Sequence, residues 1–419
     1  MSRSKIFSWN NILIPTMLFV SDDTIMFGTN INAVWLYLKY LILFFIAVKL
    51  FTEYSRTLSN RDGVFLISMC IIILLSSLVN RYIILGIFYK IVILFISFFL
   101  VKKYTLEQFA FHFNKYIYFI ACISLVGSFA ALFLRPLLEI LPRITNIANV
   151  EYYNAVFFTA PVSLAEEFRN AGNFRESGVY QMFLNLALIF QLFVLKNFDK
   201  KRLLVLVTAL LLTKSTTGYA VFSLILTLFF ISNQSSFISK KVKFLVMIMV
   251  VAAVGVITVK TDMFSPEGIL FGKLQDETND SRIARLASIT SNYEIWKMNP
   301  LFGTGLKIDE LFVSVTYNRY GFASEHNTNT FLYELACWGM FYFLILIVGI
   351  YNFCKKISGR FIDTILIFMI MFLFSVGEKL VFSTFFYALM FYGYSKPHSL
   401  KYNRVNISNN VINNTLLIR

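Results

Sequence analysis

Residues 64–103 read VFLISMCIIILLSSLVNRYIILGIFYKIVILFISFFLVKK. Two apolar runs, 64–80 and 82–101, meet at a junction whose only charge is Arg81, and the second ends in Lys102-Lys103. A helix needs about 20 apolar residues to cross a bilayer, so this stretch predicts a membrane hairpin with a tight turn. Basic residues gather on the cytoplasmic side of short connections, which places Lys102 and Lys103 inside and the Arg81 turn outside.

The same pattern extends along the chain. Further apolar runs fall at 8–21, 33–51, 115–134, 177–197, 201–214, 217–232, 242–259, 328–353, 361–377 and 380–395. Alternate connections carry Lys49, Arg56 and Arg61, then Lys115, then Lys196, Lys200, Lys201 and Arg202, then Lys240, Lys241 and Lys243, then Lys355, Lys356 and Arg360. The intervening short connections hold almost none: Arg81, Lys214 and Lys379 each stand alone. The expected fold class is therefore all-α: a polytopic integral membrane protein of about 12 transmembrane helices with both termini cytoplasmic. Residues 1–395 form a single transmembrane domain, and 396–419 read as a disordered cytoplasmic tail. Arg3 and Lys5 before the first run look like a signal peptide, but Ser21-Asp22-Asp23 follows where a cleavage site would stand, which predicts an uncleaved first span.

Composition agrees. Of 419 residues, 58% are hydrophobic and 15% charged, against about 25% charged in an average soluble domain. The net charge of +15 is spread over short clusters between apolar runs, a pattern of membrane orientation and not of nucleic-acid binding. Cys70, Cys122, Cys337 and Cys354 lie in or beside apolar runs and predict no disulfide framework.

Two outer connections, 135–176 and 260–327, are too polar to span and too long to be turns, so they are the expected functional surface. Within the second, Asp280 to Asn299 reads as a surface helix closed by Pro300. Its stripe of Ile283, Leu286, Tyr293 and Trp296 would lie on the membrane or on the bundle.

Four clusters carry residues suited to chemistry, each at an outer connection. Arg169-Asn170-Ala171-Gly172-Asn173-Phe174-Arg175-Glu176-Ser177-Gly178 opens a span, and Thr213-Lys214-Ser215-Thr216-Thr217-Gly218 forms an outer turn. Ser281-Arg282-Ile283-Ala284-Arg285 leads through Trp296 to Asn299-Pro300-Leu301-Phe302-Gly303-Thr304-Gly305. Glu325-His326-Asn327 precedes Glu334 and Trp338-Gly339.

In this order the clusters resemble the bacterial O-antigen polymerase and O-antigen ligase superfamily, over roughly the C-terminal 60% of the chain. The first third adds only topology. Ser177 stands where the family often has Pro, and Thr216 where it often has a basic residue. The resemblance implies a GT-C-like membrane glycosyltransferase of the inner membrane. It would act at the periplasmic face on an undecaprenyl-diphosphate-linked oligosaccharide, by inverting transfer without a metal or other cofactor. A chain-length regulator is the implied protein partner. Polymerase and ligase differ in acceptor, another lipid-linked repeat or the lipid A core. The Phe-rich, divergent sequence favours a polymerase. A flippase is disfavoured by the lack of internal duplication and by the two long outer loops.

The residue types suit that chemistry. Arginine forks hold the charge of a departing diphosphate, which points to Arg169, Arg282 and Arg285. Arg282 and Arg285 share a helix face. The attacking hydroxyl needs a base, and His326 is the one outer histidine, since His112 and His398 fall inside. The expected catalytic residues are thus His326, Arg285 and Arg169, with Arg282, Arg175, Asn327, Glu334 and Lys214 binding substrate. Each has a plainer alternative, since outer arginines also bind lipid phosphates or snorkel. Glu334, one turn into a span, calls for an ionic partner, expected to be an outer arginine. Gly303 and Gly305 are read as helix terminators, Glu378 and Lys379 as paired with each other or solvated, and Asp22-Asp23 as solvated and topology-setting. Lys39 and Lys90, in mid-span, are expected to snorkel or to line a cavity.

Overall fold

The computed structural model describes residues 9–28, 33–57, 59–82, 85–145, 150–163, 168–232, 280–321 and 327–395. It is a helical bundle, with helices at Trp9–Phe19 (α1), Ala33–Tyr54 (α2), Asn60–Val79 (α3), Leu85–Lys103 (α4) and Leu106–Phe133 (α5). Ser177–Ile189 (α6) continues through a π turn at Phe190–Val194. Lys200–Leu211 (α7), Thr216–Ile231 (α8), Asp280–Met298 (α9) and Ile308–Tyr320 (α10) follow, then Thr330–Ile357 (α11), Phe361–Gly377 (α12) and Thr384–Tyr394 (α13). Among the described residues, six helices are long and apolar enough to cross a membrane: α2, α3, α4, α5, α6 with its π turn, and α11. α8 and α12 are shorter and apolar. The run 242–259, residues 260–279 of the second outer loop and the tail from 396 lie outside the described residues.

Local chemistry starts these helices. Ser59 accepts from the Asp62 amide, Thr105 and Gln108 form a capping box, Ser215 accepts from the Gly218 amide, and Asn329 accepts from the Leu332 amide. Large apolar side chains remain uncovered along the outer helices: Leu41, Phe44, Phe45 and Val48 on α2, and Ile67, Ile71, Leu74 and Leu78 on α3. Their spacing of three and four makes continuous stripes, the surface that lipid covers.

The connections gather at two ends. At one, Ile25 N donates to Asn173 O (3.1 Å), Asn170 N to Leu212 O (2.9 Å) and Asn80 Nδ2 to Gly303 O (2.8 Å), and Lys379 pairs with Asp309 (2.9 Å). At the other, Lys102 pairs with Asp62 (2.6 Å), Lys103 with Glu53 (2.8 Å), and Arg360 Nη2 donates to Ile231 O (2.8 Å).

Residues 135–176 add an element to the all-α expectation. Arg143–Thr145 (β1), Glu151–Asn154 (β2) and Thr159–Pro161 (β3) form an antiparallel sheet in that order, with Tyr152 opposite both Ile144 and Pro161. Tyr153, Phe158 and Ala160 pack with Leu138 and Ala131 as a small separate core. Strands this short leave little alternation to read.

α11 is broken at Gly339, which has φ 80° and ψ −178°. The segment after α9 threads into the break: Met340 N donates to Pro300 O (3.0 Å) and Thr304 N to Ala336 O (2.9 Å). A Cβ on Gly339 would stand 2.1 Å from Leu301 O, and one on Gly303 (φ 67°) 2.4 Å from Cys337 O. The glycines of Gly303-Thr304-Gly305 therefore do more than end a helix, because Gly303 lets two backbones touch. Gly339→Ala is expected to cost more than about 2 kcal/mol, since positive φ and a backbone clash combine. Gly63→Ala, with nothing within 4 Å of its added carbon, should be close to neutral. Thermal unfolding of the detergent-solubilised protein compares them; equal melting temperatures would refute the junction's role.

Candidate active site

Residues of the four sequence clusters meet at the end that holds the α7–α8 and α12–α13 turns. The first is held by the first outer loop, where Thr24 bridges Phe174 and Arg175 N donates to Asp23 O (3.0 Å). Arg175 then turns toward the α12–α13 turn. Its Nη2 donates to Lys379 O (3.1 Å) and lies 3.8 Å from Glu378 Oε2, while its Nε is 3.7 Å from Glu176 Oε1. Burial works against the Arg175 charge, but Glu176, Glu378, Asp23 and Asp22 outweigh it and raise its pKa above the ordinary arginine value.

The second cluster supplies Thr217, whose Oγ1 accepts from Arg285 Nη1 (3.4 Å). Arg285 comes from α9 and acts electrostatically on Glu378. Lys214 is half-buried at the α7–α8 turn with φ 49°, an uncommon conformation for a residue with a side chain. The fourth cluster docks on α9. The amides of Asn327 and Asn292 bond reciprocally (2.9 and 2.8 Å), and Thr328 N donates to Ser288 Oγ (3.0 Å). Thr330 Oγ1 donates to Glu378 O and accepts from Leu380 N (2.8 Å), which ties the start of α11 to the same turn. Arg175, Arg285, Glu176 and Glu378 are thus brought together, with Asn327 on the flank.

The other expected site residues fall differently. Arg169 is half-buried beside Asn170, whose amide donates to Ser124 Oγ (3.0 Å). Arg282 lies in the first turn of α9; the side chains of residues 280–284 lie outside the described residues, as does His326. Glu334 is fully buried, and its partner is Lys90 (2.8 Å), not an outer arginine. Lys90 Nζ also donates to Val381 O (2.8 Å), and the Tyr387 hydroxyl donates to Glu334. Lys90 therefore neither snorkels nor faces water. A mid-span ammonium is held where a mid-span carboxylate can meet it.

Two further expectations are corrected. Asp22 and Asp23 are not a solvated pair: Asp22 binds Lys39 and accepts from Tyr89 OH (2.7 Å), and Asp23 is 1% exposed. Asp23 Oδ2 accepts from Ser21 Oγ (2.6 Å) and Ser383 Oγ (2.7 Å). Burial raises its pKa, opposed by Arg175 and these two hydroxyls. Glu378 and Lys379 do not pair with each other. Glu378 turns inward and Lys379 outward, because Arg175 draws the first and Asp309 the second. The face of α9 toward the bundle carries Ala287, Ser288, Ser291, Asn292 and Ile295, while Leu286 and Tyr293 are about half exposed. Of the stripe, Leu286 and Tyr293 therefore face away from the bundle, one of the two placements expected, while Trp296 packs against the core.

Glu378 is the site residue that sequence reading missed. Its one linear signal is a carboxylate at the end of a span; its partners are remote in sequence. No curated protein and no solved structure matches the chain. Residues 203–347, which hold the second, third and fourth clusters, match the family model described as O-Antigen ligase, and this match supports the resemblance to the O-antigen polymerase and ligase superfamily that the cluster order implied.

Proposed function

We propose that the protein is an O-antigen polymerase of the bacterial inner membrane. In this reading both termini are cytoplasmic and the arginine-lined end faces the periplasm. A hydroxyl of one undecaprenyl-diphosphate-linked repeat attacks the anomeric carbon of a second lipid-linked saccharide. A new glycosidic bond forms with inversion, and the bond from the anomeric carbon to the diphosphate oxygen breaks. His326 takes the hydroxyl proton. Arg285 and Arg175 hold the charge that develops on the departing diphosphate, with Arg169, Arg282 and Lys214 as further cations for the lipid-linked substrate. A chain-length regulator is the expected partner.

The observation that carries this reading is the convergence of Arg175 and Arg285, from separate segments, on one outer turn. Two guanidinium groups near one turn suit a polyanion with two phosphates. The ligase reading is the alternative, favoured by the description of the matching family.

Deleting the gene and resolving lipopolysaccharide by electrophoresis separates the two. Core plus a single repeat is the result expected of a polymerase, and bare core the result expected of a ligase. An unchanged ladder would overturn both.

A further inference from the structure

Glu378 follows α12 directly, and its side chain is only 8% exposed. One oxygen lies 3.8 Å from Arg175 Nη2, too long for a hydrogen bond and close enough for strong attraction. The other packs against Gly178, where an added Cβ would stand 2.3 Å from Oε1. The backbone is held as well, through Thr330 to Glu378 O and through Arg175 to Lys379 O. Arg285 acts on the same carboxyl from α9, and Glu176 from the segment before α6. Asp22 and Asp23 face Arg175 from the first outer loop, while Lys379 is engaged with Asp309. The carboxyl thus stands beside Arg175 and within electrostatic reach of Arg285, as an oxygen of a bound diphosphate would.

We propose that Glu378 is a proton-coupled placeholder of the anion site: in its ionised form it is the counter-ion of Arg175 and Arg285, and when the donor's diphosphate binds it takes a proton from solvent and yields both guanidiniums. This rests on reading the arginines as diphosphate ligands. Burial already raises the Glu378 pKa well above the carboxylate range, with Glu176 adding to the effect and Arg175 and Arg285 opposing it. An incoming anion raises it further. Binding therefore takes up a proton, and affinity falls as pH rises through the interval between the free and bound pKa values.

The test uses the full-length protein in phosphatidylcholine nanodiscs, with geranyl diphosphate as probe, titrated from pH 6 to 8.5. The probe's own ionisation is common to all variants, so the comparison with Glu378→Gln isolates the carboxyl. Wild-type affinity should fall by roughly tenfold more than that of Glu378→Gln over this range, as one linked proton allows. At pH 8.5 Glu378→Gln should bind at least as tightly as wild type. Matching pH profiles, or weaker binding by Glu378→Gln throughout, would overturn the proposal. Wild-type calorimetry in two buffers of different ionisation heat counts protons without a variant, and no net uptake beyond the probe's own would also overturn it. Inorganic pyrophosphate in place of the probe tells a phosphate-only site from one that also reads the lipid. Arg285→Gln checks the underlying reading separately: unchanged probe affinity there means that the arginine assignment itself fails.

Discussion

Replacing Lys90 with Met is expected to destabilise the protein by about 3–5 kcal/mol, the cost of stranding a buried partner charge. Lys90 and Glu334 are both fully buried, 2.8 Å apart, in the interior formed by α4, α11 and α13. Glu334 Oε2 already lacks a hydrogen-bond partner among the described residues. Once Lys90 is gone, the Tyr387 hydroxyl alone remains to hold Glu334 Oε1. The same change removes one of the two donors to Val381 O, next to the turn that carries Glu378. Lys90→Met combined with Glu334→Gln should regain most of the loss, because a neutral amide still accepts from Tyr387 and leaves no charge behind. Thermal unfolding in detergent reads both. A snorkelling lysine would cost about 0.5 kcal/mol or less on substitution, so an unchanged melting temperature for Lys90→Met would refute the buried pair.

Arg285→Ala is expected to slow saccharide transfer by about 10²- to 10³-fold while leaving the fold intact. Removing one preorganised donor to a developing charge costs about that much in enzymes that rely on such donors. The side chain is half-buried, and its Thr217 contact is a long 3.4 Å, so little stability rests on it. Lysine at the same position should recover only part of the rate, since it supplies the charge without the fork. The rate of polymer formation in a deletion strain complemented with each variant measures the effect, with membrane protein level as the control. Wild-type polymer from Arg285→Ala would remove Arg285 from the site.

What could be read in advance was what local chemistry decides. Apolar run length and basic flanks set the apolar helices of the bundle, whereas α10, inside the long connection 260–327, was not read. Asp280 and Pro300 bounded α9, whose helix ends at Met298. The pairings were not legible, because nothing near Lys90 names Glu334 and nothing near Arg175 names Glu378. Lys39 and Asp22, each plausible as a topology signal, turn out to bind each other. The stripe on α9 left two sides open, the membrane and the bundle. An apolar stripe marks the core-facing side when water is the solvent. Here Leu286 and Tyr293 are exposed, and α9 meets the bundle through small and polar side chains such as Ser291 and Asn292. The sheet at 143–161 was hidden by strands of three and four residues.

The central claim is that this outer cluster drives transfer of a saccharide from a lipid diphosphate. Its most direct test supplies reconstituted protein with undecaprenyl-diphosphate-linked repeats and no sugar nucleotide, then follows lengthening of the saccharide by mass spectrometry. The expected result is products longer by whole repeats, one undecaprenyl diphosphate released for each repeat joined, and loss of both in Arg285→Ala. No lengthening by a folded wild-type protein, or lengthening that Arg285→Ala leaves untouched, would contradict it.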